Sequence, residues 1–237
     1  MKKLIYSSIF CLSLASCDVL HTVAKDVLSI PTTEEAAGGL KDALKQGFSK
    51  GTDLLSMRGA FGKNNLIKIL LPEEAQTVAN KLSDIGMEKQ VNSVIEKLNE
   101  GAEDAVGTAK PIFVSAITNM SFTDAMGILT GGKGSATKYL KETTTNSLIA
   151  SFSPKIKSSL DQVGVTRNWS DLVNTYNMIP FIKKMNPDLN AHVTEKALFT
   201  LFNKVEEEEN KIRENPILRS TDLMKKAFAY ADTQIKK

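Results

Sequence analysis

The chain has 237 residues, with 30 Lys and Arg against 27 Asp and Glu, for a formal charge of +3. That length is enough for one large domain or two small ones with a real core. Without Lys2 and Lys3 the balance is 28 against 27, and no basic patch stands out, so no nucleic-acid partner is expected.

The first seventeen residues carry an address. Lys2 and Lys3 form a positive n-region, Leu4 to Leu14 a short apolar h-region, and Leu14-Ala15-Ser16-Cys17 a bacterial lipobox. The apolar run is too short to span a bilayer and reads as an export signal. Residues 1–16 are expected to be removed. Cys17 is expected to be acylated, anchoring the protein to a membrane. Cys11 leaves with the signal, so no thiol and no disulfide remain in the 221 residues from Cys17 onward. The residues after Cys17 read Asp-Val-Leu-His, without an acidic surface-export cluster, which favours the periplasmic face of the outer membrane. Asp18 marks inner-membrane retention in some bacteria, so that alternative stays open.

Residues 17–32 form a tether closed by Pro31. Thr32 and Glu35 then make a capping box. Leu40, Ala43, Leu44, Phe48 and Leu55 follow at helical spacing, with Gly47 and Gly51 predicting a bend or break. Met57 to Leu71 reads as a loop, its Leu66 to Leu70 stretch either extended or plugging the core. Pro72 is the expected first residue of a helix running to about Asp84 and stopping at Gly86. Glu88 to Val106 is a further helix with Val91, Val94, Ile95, Leu98, Ala102 and Ala105 on one face.

Pro111 opens the next helix, to about Asn119. Ser121, with Asp124 three residues on, caps a short one to Leu129. Gly131 to Gly134 is a hinge. A helix from Ser135 to Phe152 is expected to give way to another between Pro154 and Gly164. Trp169 to Ile179 reads as helix. Leu189 to Glu214 is the longest C-terminal element, ended by Asn215-Pro216. Ser220 or Thr221 caps a last helix to Ala231, and residues 233–237 fray. Many amphipathic helices with short turns predict an all-α, bundle-like single domain over residues 33–232.

Chemical motifs are sparse. Gly127 to Gly134 nearly spells a phosphate loop, but Gly134 stands where Ser or Thr must follow Lys133, and the preceding segment is helical. A glycine cap is the simpler reading, with a weak anion site at the new helix start as the alternative. His192 is the sole histidine of the domain, and a surface or capping role suits it. No metal and no cofactor are expected. No Gly-x-Ser-x-Gly and no free Cys support nucleophilic catalysis. Trp169, Tyr176, Phe181 and Phe199 are expected in the core.

The run Glu206 to Glu209 is the strongest local anomaly. Four successive helical residues sweep about 300°, so a packed helix cannot turn all four to water. Leu198, Leu201, Phe202, Val205 and Ile212 set an apolar stripe. Its spacing brings Glu209 into the stripe, with Glu206 and Glu208 on the flanks and Glu195 on the same side. Arg213 is four residues on and can pair with Glu209; Arg219 and Lys225 are further candidates. The group reads either as an ion-pair clasp docking the last helix or as a polar pocket of Glu195, Glu209 and Arg213. Glu206 and Glu209 are close enough in register to form an acid pair.

Three stretches together carry a resemblance: Ala125-Met-Gly-Ile-Leu-Thr-Gly-Gly with Ala136-Thr137-x-Tyr139; Val193-Thr-Glu-Lys-Ala-Leu-x-x-Leu-Phe202; and Glu207-Glu-Glu-x-x-Ile-Arg213-x-Asn-Pro216-x-x-Arg219-x-Thr-Asp-Leu223. With Ala109-Lys-Pro-Ile-Phe-Val114 and the lipobox, the chain resembles the bacterial domain-of-unknown-function 4197 family from about Gly39 to Phe228. The resemblance implies an exported, mostly helical protein, often a lipoprotein, with no assigned activity. It marks Thr194, Glu195, Glu209, Arg213, Arg219 and Asp222 as polar positions to examine. Three functions stay open: a non-enzymatic envelope protein binding a small ligand or envelope partner, a carrier of an apolar ligand between helices, and a carboxylate enzyme.

Overall fold

The computed structural model describes residues 30–162, 164, 169, 174, 177, 178, 180, 181, 184 and 188–235. The described residues are helical without strands. The signal, the lipidation position and most of the expected Trp169–Ile179 helix, including Tyr176, lie outside them.

Helix α1 (Thr33–Ser56) is the axle of the fold. Thr32 Oγ1 accepts from Glu35 N at 3.2 Å, and Glu35 answers Thr32 N at 2.8 Å, so the capping box forms as read. The helix does not break at Gly47 or Gly51. Both are buried and face a later helix near Ile212 and Lys204, and that packing outweighs their poor propensity.

A loop, 57–72, leads to α2 (Glu73–Leu82). Pro72 is the residue before that helix rather than its first member. A π-turn, Ser83–Met87, with Gly86 at φ +88°, joins α2 to α3 (Glu88–Val106). Helix α4 (Ala109–Thr118) starts two residues before Pro111. The Ser121–Asp124 capping box opens α5 (Phe122–Thr130).

Helix α6 (Ser135–Asp161) runs straight through Pro154, against the expected division. Pro154 and Ala150 are both exposed, so the carbonyl deprived of its donor faces water. Phe152 and Ile156 on either side are fully buried and hold the helix together. Helix α7 (Leu189–Glu214) has the predicted bounds, and Asp188 caps it by accepting from Ala191 N at 2.9 Å. A short 3-10 turn, Pro216–Leu218, leads into α8 (Asp222–Ile235). Thr221 Oγ1 accepts from Met224 N. The helix is described as far as Ile235.

Helices α3, α4, α5, α7 and α8 all pack on α1, while α6 packs on α3, α4 and α7. Phe48, Phe113 and Phe202 meet at the centre, with ring centroids 5.5 and 6.1 Å apart. The tightest approach is α1 to α8: a Cβ on Gly39 would stand 2.3 Å from Leu223 O. Among the described residues no single helix is long and apolar enough to cross a membrane.

Candidate functional site

The expected Glu–Arg cluster exists, and the fold uses it internally. Glu209 is buried on the apolar stripe of α7. Its carboxylate accepts from Ala136 N (3.1 Å), Thr137 N (2.9 Å), Thr137 Oγ1 (2.8 Å) and Arg213 Nε (2.9 Å). Those amides are the first orphan donors of α6, so Glu209 supplies the anion that a helix N-terminus favours. The weak anion site considered at this helix start is therefore filled from within.

Arg213 completes the arrangement. Its terminal nitrogens donate to Leu129 O (3.1 Å) and Ile128 O (2.9 Å), the last carbonyls of α5. One ion pair on α7 thus closes both helix ends of the α5–α6 hairpin, each with the charge that suits it. Gly134, at φ +72°, makes the turn between them, as a glycine cap rather than a phosphate loop. The space beside Glu209 and Arg213 is about 10 Å³, too little for a ligand.

Arg219 does not reach Glu209. It donates to Ile212 O (3.3 Å), Arg213 O (2.7 Å) and Asp232 (3.0 Å), closing the C-terminal end of α7. The Phe228 ring lies against both guanidinium groups, 5.6 Å from Arg213 and 5.3 Å from Arg219. Here α8 docks. Lys225 pairs with Asp222 instead, and the Asp222 side chain is 99% exposed.

The remaining candidates scatter. Glu195 is exposed and away from the stripe, contrary to expectation, because Thr194 occupies the buried turn in its place. The Thr194 hydroxyl is buried without a hydrogen bond. Glu206 is exposed, shares no hydrogen bond with Glu209, and lies against Gly134. The acid pair is therefore not assembled. Glu208, read as a flank, is buried and bridged to Lys50 (2.7 Å) and Lys211 (2.9 Å). Burial pushes its carboxyl up, but those two ammonium groups prevail and hold it below the ordinary carboxylate range. No group of three His, Cys, Asp or Glu able to hold a metal occurs among the described residues.

Two grooves open on the surface. One, of about 860 Å³, lies over the α5–α6 turn beside Glu206, Lys138 and Tyr139. Of its charges, Lys133 pairs with Glu214, and Lys138 with Glu142 at 4.0 Å. Burial and the nearby Asp124 push the Tyr139 phenol above its ordinary value.

The second groove, of about 790 Å³, was not foreseen. One wall is the strap Leu66–Leu71, the other the outer face of α7 at His192, Lys196 and Phe199, with Leu54 and Leu55 of α1 also lining it. Leu66 is 94% exposed and Phe199 63%, so Phe199 is not core. Phe181 is likewise exposed. The signal for Phe199 was present, since it falls off the stripe of Leu198, Leu201 and Phe202.

Two polar side chains shape the 57–72 loop that carries the strap. Asn99 donates to Ile69 O (2.9 Å) and accepts from Ile69 N (2.8 Å), acting as a one-residue strand partner. Glu103 accepts from Gly59 N and Phe61 N, both at 3.0 Å. Across the groove, His192 Nε2 donates to Leu70 O at 3.0 Å and ties the strap to α7, while the cap of that helix is Asp188.

The family model described as "Protein of unknown function (DUF4197)" matches residues 31–229. No curated protein and no solved structure matches the chain. That match covers most of the chain, which belongs to the DUF4197 family.

Proposed function

We infer that this chain is a lipid-anchored envelope protein that binds a partner in the groove between the Leu66–Leu71 strap and α7, without catalysing a reaction. The observation carrying the reading is the groove itself. It combines exposed Leu66, Leu70 and Phe199 with a polar rim, at a volume typical of binding sites. The buried Glu208, Glu209 and Arg213 are instead committed to helix ends and local ion pairs.

Placement supports the same reading. The expected anchor at Cys17 joins the body ahead of Thr33, and the groove begins at Leu54, about 30 Å along α1. A body tethered at one end and open at the other suits capture of something beyond the membrane surface. The lipobox supports export and acylation, and the absence of an acidic cluster after Cys17 supports the periplasmic face of the outer membrane.

Native mass spectrometry of the full chain, purified gently from its own envelope, tests this. A bound mass that is retained by wild type and lost by F199D is the expected result. A bare protein in both refutes partner capture. A lipid-sized mass held in the groove favours the apolar-carrier alternative.

A further inference from the structure

We propose that the occupant of this groove is an extended, acidic-apolar peptide segment of a partner protein, added as a strand alongside Ile69. The proposal rests on the groove being the binding site and names what it recognises.

The backbone of the strap carries the argument. Burial alternates along it: Ile69 and Leu71 are buried, while Lys68 and Leu70 are exposed. That alternation is the period of an extended chain. Ile69 turns both its N–H and its C=O to Asn99 on α3. Its neighbours therefore turn theirs the opposite way. Of those groups, Lys68 N is bonded to Asn64 O and Leu70 O to His192. Lys68 C=O and Leu70 N–H have no hydrogen-bond partner among the described residues.

A free C=O at one residue and a free N–H two residues on can receive an added strand. In the parallel case one incoming residue gives its N–H to Lys68 C=O and receives Leu70 N–H on its own carbonyl. An antiparallel strand placed opposite Ile69 uses the same two groups, taking Leu70 N–H on one residue and giving an N–H to Lys68 C=O from the residue two further on, so the site fixes strand addition and not its direction. The strap is thus half of a strand-addition site, the recognition mode by which sheet edges capture extended peptides.

Side chains specify the rest. Leu66, Leu70 and Phe199 offer apolar contact to alternate residues of the peptide. Lys68 and Lys196 line the groove and have no acidic partner among the described residues. Lys204 and Glu207 neutralise each other at 2.8 Å, and Glu73 sits in the first turn of α2. Two free ammonium groups beside an apolar floor complement carboxylates that alternate with apolar side chains.

The full chain in detergent micelles is panned against a random peptide-display library, and enriched peptides are titrated by fluorescence anisotropy. The expected peptides alternate acidic and apolar residues. K68E/K196E weakens them at least about tenfold, with helicity unchanged. Methylating one central peptide nitrogen abolishes binding while methylating its neighbour does not, and the Leu70 amide becomes slow to exchange. Basic or helix-forming peptides, or acidic ones indifferent to K68E/K196E, overturn the strand-addition inference while leaving the groove as the site. So does preferential binding to anionic phospholipid vesicles. Peptide binding untouched by F199D removes the groove reading as well, and no enrichment at all overturns the inference.

Discussion

Replacing Glu209 by Ala removes the acceptor of four hydrogen bonds at once. The Ala136 and Thr137 amides lose their partner inside the core, and the buried Arg213 guanidinium keeps only the two α5 carbonyls. Breaking a buried pair by removing one member costs about 3–5 kcal/mol. For a domain of this size each kcal/mol moves Tm by about 2–4 °C, so a fall of roughly 6–20 °C is expected. Urea and thermal melts of the full chain read it. The companion R213M and the double variant E209A/R213M complete a cycle, with a coupling of about 1–3 kcal/mol expected because each partner's loss strands the other. A Glu209→Ala cost within about 0.5 kcal/mol would refute the claim that this carboxylate closes the α6 N-terminus.

Other expectations follow from the same contacts. D222A is expected to leave stability within about 0.5 kcal/mol in a urea melt, since that side chain is exposed. G39A is expected to destabilise by about 1–3 kcal/mol or displace α8, because the new methyl meets Leu223 O; G38A, whose methyl would meet only a side-chain carbon at 3.4 Å, serves as its control. The Glu208 carboxyl titrates below its unfolded value, so its stabilisation is full above about pH 4.3 and disappears as acid carries the pH through the folded pKa. Urea midpoints of wild type should therefore fall from about pH 5 to 3, and those of E208Q should fall less. N99A is expected to cost about 1–3 kcal/mol and to open the 57–72 segment to proteolysis, read by limited digestion.

Local signals in the chain announced what is local in the fold. Both capping boxes, the Leu189–Glu214 bounds and the burial of Glu209 follow from residue spacing within one or two turns. The Glu209–Arg213 pair is an i,i+4 contact and was legible for that reason. What that pair grips was not, because Ala136 and Ile128 are more than seventy residues away. Asn99 and Glu103 were hidden likewise, since each holds a part of the 57–72 loop thirty or more residues earlier. Gly47, Gly51 and Pro154 misled in the opposite direction. Their local propensities oppose a helix that burial of the surrounding residues sustains. The groove depends on a loop meeting a distant helix face, and no periodicity encodes that meeting.

The most direct test of the account is photo-crosslinking in living cells from a benzophenone side chain at position 199, compared with position 149 on exposed α6. A discrete adduct from 199 that is absent from 149 and diminished by K68E/K196E is the predicted result. Equal labelling at both positions, or none at 199, would contradict a binding groove between the strap and α7.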